Sequence, residues 1–277
     1  MKDKDPAPLL ELMTRAALAA GQSILEVYDT SISATRKEDG TPVTIADQRA
    51  EEIILEFLRT TGIPVLGEES AAAGLIPELG KRFFVVDPLD GTREFLKKND
   101  EFTVNIALIE DGRPVAGVVT APALGHGFCG NARAGAFRFS ITSGNSKETR
   151  PIKARGKGPL HMLGSRSHHV PMPAELLEYL GNCRESSVGS SLKFCLIANG
   201  KARLYPRLSV TSEWDTAAGQ AVLEAAGGAV IDLDGRPLSY GKADRNYLNP
   251  FFVAADCADL AKKISGRLAR AIKAKAR

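Results

Sequence analysis

The sequence contains no uninterrupted apolar run long enough to span a bilayer, which argues against an integral helical membrane protein. Its start, Met1-Lys2-Asp3-Lys4-Asp5, lacks the basic-then-apolar order of an export signal, so a cytoplasmic location is the expectation. Cysteine is scarce. Cys129, Cys183, Cys195 and Cys257 are widely spaced and form no Cys-x-x-Cys pair, which points to reduced, structural thiols instead of a disulfide framework or zinc site. Also missing are a Gly-x-Gly-x-x-Gly fingerprint, a P-loop, a serine-hydrolase elbow and a His-Glu-x-x-His motif, so the commonest nucleotide, acyl-transfer and zinc-peptidase signatures are excluded. No nucleic-acid-binding module is recognisable.

What remains is the composition of a globular protein. The 277 residues suffice for one large domain or two closely packed smaller ones. Glycine and proline are frequent but not periodic, unlike a collagenous chain. The net charge of +3 is confined to one end: Leu260 to Arg277 carries seven basic residues and no acid. Without those seven, 29 basic residues face 33 acidic ones, so the body offers no general polyanion-binding surface. Leu260, Ile264, Leu268 and Ile272 recur every four residues in this tail. A terminal helix packed on the body is the first reading, and peripheral contact with anionic lipid on the cytoplasmic face of the inner membrane is the second.

Periodicity predicts a long helix over 8–29, from the stripe Leu9, Leu12, Met13, Ala16, Ala20, Ile24 and Val27. A second helix is expected from near Asp47 through Leu58, then a short strand at 63–66. Another strand, 83–86, ends at Asp87. A meander follows, with Asp111-Gly112 as a hairpin signal. The polar, glycine-containing stretch 140–158 reads as a boundary. Beyond it, strands near 160–163, 229–233 and 251–255 alternate with helices near 173–180, 190–199 and 215–226. The first half is thus α+β in pattern and the second α/β.

Carboxylates cluster at the ends of these strands. In Asp87-Pro88-Leu89-Asp90-Gly91-Thr92, Pro88 removes an amide hydrogen and Gly91 permits a sharp turn. Such a turn directs both aspartates into one pocket and exposes the Leu89 carbonyl, an oxygen set suited to hard divalent cations. Asp90-Gly91-Thr92 also suits a helix start whose amides receive a phosphate oxygen. Glu68-Glu69 repeats the acidic turn after another strand, with one side chain expected inward and the other toward water. Asp215, before Thr216-Ala217-Ala218-Gly219, reads as a helix cap or as a third ligand. Asp47 and Thr92 suit an accessory pair, in which the hydroxyl donates to the carboxylate and orients a water.

Together the blocks Gly67-Glu68-Glu69, Asp87-Pro88-Leu89-Asp90-Gly91-Thr92 and Trp214-Asp215-Thr216-Ala217-Ala218-Gly219 resemble the magnesium-dependent, lithium-sensitive phosphatase superfamily that includes inositol monophosphatase. The closer resemblance is to bacterial 3′(2′),5′-bisphosphate nucleotidases of the CysQ type. It rests on residues 37–47, Leu89 to Phe95, 99–109, Gly189-Ser190-Ser191-Leu192-Lys193-Phe194-Cys195 and Leu204-Tyr205-Pro206-Arg207. The resemblance implies a layered α+β and α/β sandwich of the inositol monophosphatase and fructose-1,6-bisphosphatase type. Its two packed subdomains are expected over 1–155 and 156–277, with the metal site between them.

By the same resemblance, Glu68, Asp87 and the Leu89 carbonyl hold one magnesium ion. Asp87, Asp90 and Asp215 hold a second, and Glu68 helps hold a weaker third through water. Asp47 and Thr92 orient the attacking water, and the Gly91 and Thr92 amides cradle the scissile phosphate. The implied reaction is direct hydrolysis of adenosine 3′,5′-bisphosphate to AMP and phosphate, without a phosphoenzyme. Lys193 and Arg207 suit the phosphate that is not cleaved, with Ser190 beside them. Ser165, Ser167 and His168 are placed near ribose or base. The alternatives are inositol monophosphatase or fructose-1,6-bisphosphatase activity and, outside the enzymes, a nucleotide or phosphate sensor. Both a monomer and a homodimer are compatible with the pattern. One segment departs from the family: Leu208-Ser209-Val210-Thr211-Ser212-Glu213 stands where an aromatic-Gly-Pro-Thr segment is usual.

Overall fold

The computed structural model describes residues 6–30, 34–36, 42–156, 158–167 and 170–275. The chain opens with α1 (Pro6–Tyr28), the short antiparallel pair β1 (Ala34–Arg36) and β2 (Pro42–Thr44), and α2 (Ile45–Arg59). A capping box formed by Thr44 and Asp47 starts α2, satisfying amides that a helix start leaves open. Next come β3 (Val65–Gly67), α3 (Glu68–Ala72), β4 (Arg82–Asp90), α4 (Thr92–Leu96), β5 (Thr103–Glu110), β6 (Arg113–Ala121), β7 (His126–Asn131), β8 (Gly135–Thr142) and β9 (Asn145–Ile152). These seven strands form one sheet in chain order, with β3 parallel to β4 and every later neighbour antiparallel.

The second half runs through β10 (His161–Ser165), α5 (Ala174–Leu180), β11 (Arg184–Val188), α6 (Leu192–Ala198), β12 (Leu204–Arg207), β13 (Thr211–Ser212), α7 (Ala217–Ala225), β14 (Ala229–Asp232), β15 (Leu248–Asn249), β16 (Phe252–Ala255) and α8 (Ala258–Lys275). Its five-stranded sheet has the order β11-β10-β12-β16-β14. Here β10 is parallel to both neighbours, while β16 is antiparallel to both of its own.

Period-two alternation makes the layers. Phe84, Val86, Ile106 and Leu108 face α1 and α2, whereas Phe83, Val85, Ala107 and Ile109 point the other way, into a core shared with α6 and α7. The far side of that core is supplied by Tyr205, Val230 and Phe252 of the second sheet. On the second sheet's outer face, Leu204, Ile231 and Val253 meet Leu176 of α5 and Ala261, Ile264 and Leu268 of α8. The result is a five-layer α-β-α-β-α sandwich. Ile264 and Leu268, the centre of the basic tail's apolar stripe, are fully buried here, so that stripe covers a sheet. Gly266 does not interrupt α8. No helix among the described residues is long and apolar enough to cross a membrane.

Two sequence expectations change. The strand expected to stop at Asp87 continues to Asp90, because pairing with β5 resumes at Asp90 and Thr103 after a register shift. The stretch 140–158 contains all of β9, whose side chains from Asn145 to Pro151 are exposed. An edge strand with solvent on its side chains carries the composition of a linker. Also unread from the sequence was β11, the exposed edge of the other sheet.

The sandwich closes at glycines. A Cβ on Gly117 of β6 would lie 2.5 Å from the Ala218 carbonyl oxygen, and one on Gly219 of α7 would lie 2.5 Å from the Phe194 ring. Gly117→Val is therefore expected to lower the unfolding free energy by about 1–3 kcal/mol through overpacking. Gly266→Ala, whose Cβ meets only the end of Arg270 at 3.9 Å, is expected to raise it by about 0.5–1 kcal/mol. Urea denaturation measures both, and a neutral Gly117→Val would contradict the close approach of α7 to β6.

Candidate active site

The site begins where β4 leaves its sheet. The run Phe83 to Leu89 is buried, which anchors the aspartates on a strand with no freedom to slide. Asp87 and Asp90 flank the register shift with β5, and the Leu89 amide donates to Asp87 Oδ1 at 3.0 Å. Gly91 is required on two counts. Its φ is 94°, in the left-handed region that other residues resist. A Cβ there would also press to 3.1 Å from the Glu101 carbonyl oxygen and 3.4 Å from Ser190 Cβ. Thr92 then starts α4.

Asp215 arrives from the second half, just ahead of α7. Its Oδ2 accepts the Ser212 amide at 2.9 Å. The turn is pinned from behind by Glu213, a fully buried carboxylate that takes the amides of Gly241 at 2.6 Å and Lys242 at 2.9 Å and pairs with Lys242 Nζ at 2.7 Å. Ser191 joins the halves. Its amide and hydroxyl lie 2.6 and 2.8 Å from Asp90 Oδ2, and the hydroxyl is 2.8 Å from the Asp215 carbonyl oxygen. Asn105 of β5 donates to the Ser191 hydroxyl at 3.0 Å. Carboxylate oxygens of Asp87, Asp90 and Asp215 thereby come within 4.8 Å of one another.

Of the adjacent pair on α3, Glu68 lines the same pocket and Glu69 does not. The cause is Glu51, a buried residue of α2 that sequence reasoning passed over. Its carboxylate accepts the Glu69 amide at 2.8 Å and the Ser70 amide at 2.7 Å, which turns the start of α3. Gly67 makes room, since a Cβ there would sit 2.7 Å from that carboxylate. Four residues earlier on the same helix, Asp47 Oδ2 accepts the amide and hydroxyl of Thr44, each at 2.7 Å. This leaves Oδ1 to receive the Thr92 hydroxyl at 3.3 Å. The spacing of Asp47 and Glu51, one turn apart beside apolar neighbours, was the available signal for Glu51.

Crowding shows in the acidities. Burial, then the charges of Asp90 and Glu68, push the Asp215 carboxyl up to about 8. Burial also raises Asp90, against the pull of Lys193. These carboxylates and the Leu89 carbonyl form an all-oxygen donor set around one pocket, and it fits a hard divalent cation.

The same pocket is also lined by cations. Lys193 of α6 is 4% exposed; its Nζ donates to the Val188 and Ser190 carbonyls at 3.1 and 2.5 Å. Burial lowers its pKa to about 8, with Asp90 opposing the shift. Arg207 of β12 is 9% exposed, and its Nε and the Ser190 hydroxyl are buried with no hydrogen-bond partner. Buried donors of this kind are costly unless a ligand meets them. Ser165, Ser167 and Tyr205 complete the wall, and Tyr205 also packs edge-on against Phe194 and Phe252. His168 lies outside the described residues, as do Lys37 to Thr41. Lys98 turns away from the pocket, its Nζ 4.2 Å from the Tyr28 ring centroid. Glu94, Glu101, Asn105, Ser191 and Glu213 were missed because each acquires partners from segments distant in the chain.

The raised Asp215 pKa yields a sign. Relative to an unfolded carboxyl near 4, the folded form holds its proton up to about pH 8, so this contribution to stability is present at low pH and lost as pH rises toward 8. Metal-free protein is expected to be about 2 kcal/mol less stable at pH 8 than at pH 6 from this group. A divalent cation, or Asp215→Asn, should narrow the gap, and thermal melts in chelator measure it. Equal melting at both pH values would contradict the crowded cluster.

Comparison with known proteins agrees with this architecture. A profile described as the inositol monophosphatase family matches residues 5–274. A protein named 3′(2′),5′-bisphosphate nucleotidase CysQ from Salmonella typhimurium is 46% identical over 253 residues, covering 88% of this chain and 98% of its own. Its namesake from Escherichia coli (strain K12) is 42% identical over 248 residues, with the same coverages. The crystal structure of CysQ from Bacteroides thetaiotaomicron, described as a bacterial member of the inositol monophosphatase family, superposes with a TM-score of 0.77 at 36% identity, covering 92% of this chain and 97% of that one. The layered α+β fold expected from the sequence is the fold observed. A profile match over nearly the whole chain, relatives above 40% identity and a shared fold together show that the chain belongs to the inositol monophosphatase family, in its CysQ-type branch.

Proposed function

We propose that the protein is a magnesium-dependent phosphomonoesterase that hydrolyses the 3′-phosphate of adenosine 3′,5′-bisphosphate to AMP and phosphate. One observation carries the reading: a single pocket is lined both by the carboxylates Glu68, Asp87, Asp90 and Asp215 and by the buried cations Lys193 and Arg207. Such a pocket takes a ligand with two anionic groups, one to be cleaved and one to be held. The names of the curated relatives, 3′(2′),5′-bisphosphate nucleotidases, support the nucleotide class.

Magnesium ions held by Glu68, Asp87, the Leu89 carbonyl, Asp90 and Asp215 would neutralise phosphate charge and increase the acidity of water. The remaining work belongs to the chain. Asp47 Oδ1 accepts from the Thr92 hydroxyl, leaving the Thr92 oxygen to accept a hydrogen bond from the attacking water and so turn a lone pair of that water toward phosphorus. Amides at Gly91 and Thr92 face the oxygens of the transferring group, while Lys193 and Arg207 hold the other phosphate. The water oxygen bonds to phosphorus as the bond from phosphorus to the 3′-oxygen breaks; the water releases one proton to solvent, and the departing 3′-oxygen takes one proton from solvent and leaves as a hydroxyl. Burial of Lys193 confines its charge to one geometry, which favours recognition over adaptability.

A phosphate-release panel in magnesium tests this with adenosine 3′,5′-bisphosphate, adenosine 3′-monophosphate, inositol 1-phosphate and fructose 1,6-bisphosphate. The adenosine bisphosphate is expected to give the highest kcat/KM, and preference for inositol 1-phosphate would overturn the nucleotide assignment. Asp90→Asn is expected to lower kcat by about 100-fold or more with little change in circular dichroism. Lys193→Ala should reduce kcat/KM on the bisphosphate about 10–100-fold more than on the 3′-monophosphate. Equal loss on the two would remove Lys193 from the second phosphate.

A further inference from the structure

Glu94 is a carboxylate on the wall of a pocket otherwise suited to phosphate. It sits on α4 two residues after Thr92 and is 3% exposed. A carboxylate repels phosphate, so it marks a place where the ligand presents a donor instead. Its position is held from two sides. The Ser167 hydroxyl donates to Glu94 Oε1, and Gly189 packs so closely that a Cβ there would lie 2.8 Å from Glu94 Cγ. The segment bearing Ser167 is itself tied down, because Arg166 makes two hydrogen bonds of 2.8 Å to Glu101, across the sandwich. The charges of Lys193 and Arg166 act on Glu94 from a distance, but none of the ion pairs within 4.0 Å among the described residues includes it. A carboxylate offers about four acceptor positions, and Ser167 occupies one.

Resting on the function proposed above, we infer that Glu94, steadied by Ser167, is a specificity-determining residue that accepts a hydrogen bond from the hydroxyl vicinal to the scissile phosphate. The reacting phosphate lies at the start of α4, against Gly91 and Thr92, so the neighbouring sugar carbon comes beside the first turn of that helix, where Glu94 stands. A 3′-phosphate brings the 2′-hydroxyl to it, and a 2′-phosphate brings the 3′-hydroxyl. The substrate class is thus a phosphate ester with a free vicinal hydroxyl, and either ribose isomer meets the requirement. A deoxyribose nucleotide leaves a buried carboxylate facing carbon, which is the costly case in hydrogen-bond discrimination.

The test compares adenosine 3′,5′-bisphosphate with 2′-deoxyadenosine 3′,5′-bisphosphate on wild type, Glu94→Ala, Glu94→Gln and Ser167→Ala, by phosphate release in magnesium. Wild type is expected to prefer the ribose substrate by about 10–100-fold in kcat/KM. Glu94→Ala should bring that ratio to within about threefold by losing activity on the ribose substrate, and Glu94→Gln, a neutral acceptor, should keep part of it. Should Glu94→Ala fail to fold, Ser167→Ala, at the pocket wall, still reports, with a ratio reduced about 3–10-fold. An unchanged ratio in the folded variants, or equal activity of wild type on both nucleotides, overturns the assignment of Glu94 and leaves the nucleotidase reading standing. Wild type that cleaves inositol 1-phosphate but neither nucleotide overturns that reading, and this inference with it.

Discussion

Mutual repulsion among Asp87, Asp90 and Asp215 is the constraint on which the rest of the structure depends. Carboxylate oxygens within 4.8 Å of one another do not stay together in a low-dielectric pocket unless the backbone holds them there. The holding is distributed. A buried strand carries two of them, a turn pinned by Glu213 and Lys242 carries the third, and Ser191 spans Asp90 and the Asp215 carbonyl. Each restraint is local, and none releases without exposing a buried polar group. That rigidity is what lets a cation find its oxygen ligands already assembled, at little cost in reorganisation.

The layers explain why two halves of the chain can build one pocket. Both sheets pack on α6 and α7 through a common core, so the start of α7, with Asp215 ahead of it, and the start of α6, with Lys193, are set against the end of β4. Glycines at the closest approaches set the distance between layers. Acidic and basic side chains from both halves therefore line one pocket beside a shared core. The charge of Lys193, buried under Asp90 and above Tyr205, belongs to the same arrangement. Removing water from it sharpens its discrimination between one anionic group and two.

Much of this was legible in the residues. Helical stripes predicted α1, α2 and α8, and Asp111-Gly112 placed the β5–β6 hairpin, both residues having positive φ. Asp47, Glu68, Asp87, Asp90, Thr92, Asp215, Lys193 and Arg207 were named from motif and chemistry, and all but Asp47 line the pocket while Asp47 reaches it through Thr92. The polar strand β9 was hidden because alternation vanishes when a strand at the sheet edge exposes its side chains to solvent. Peripheral lipid contact was a reading of the tail's charge and stripe together; Ile264 and Leu268 at the stripe's centre are buried, while Lys262, Lys263, Arg270 and Lys273 are exposed.

By itself the sequence determined which chemical groups are available, at which strand ends and helix starts they stand, and that oxygen ligands and cations suit a phosphate ester. Those properties are local, set by backbone propensity, glycine and proline geometry, and side-chain charge. Only the tertiary structure decided that Glu68 turns in while Glu69 turns away, that Glu51 and Glu213 act as braces, and that Glu94 faces the pocket with Ser167 against it. Their partners lie 18 to 73 residues apart in the chain. Such pairings follow from the stacking of layers, for which no single stretch of residues carries a signal.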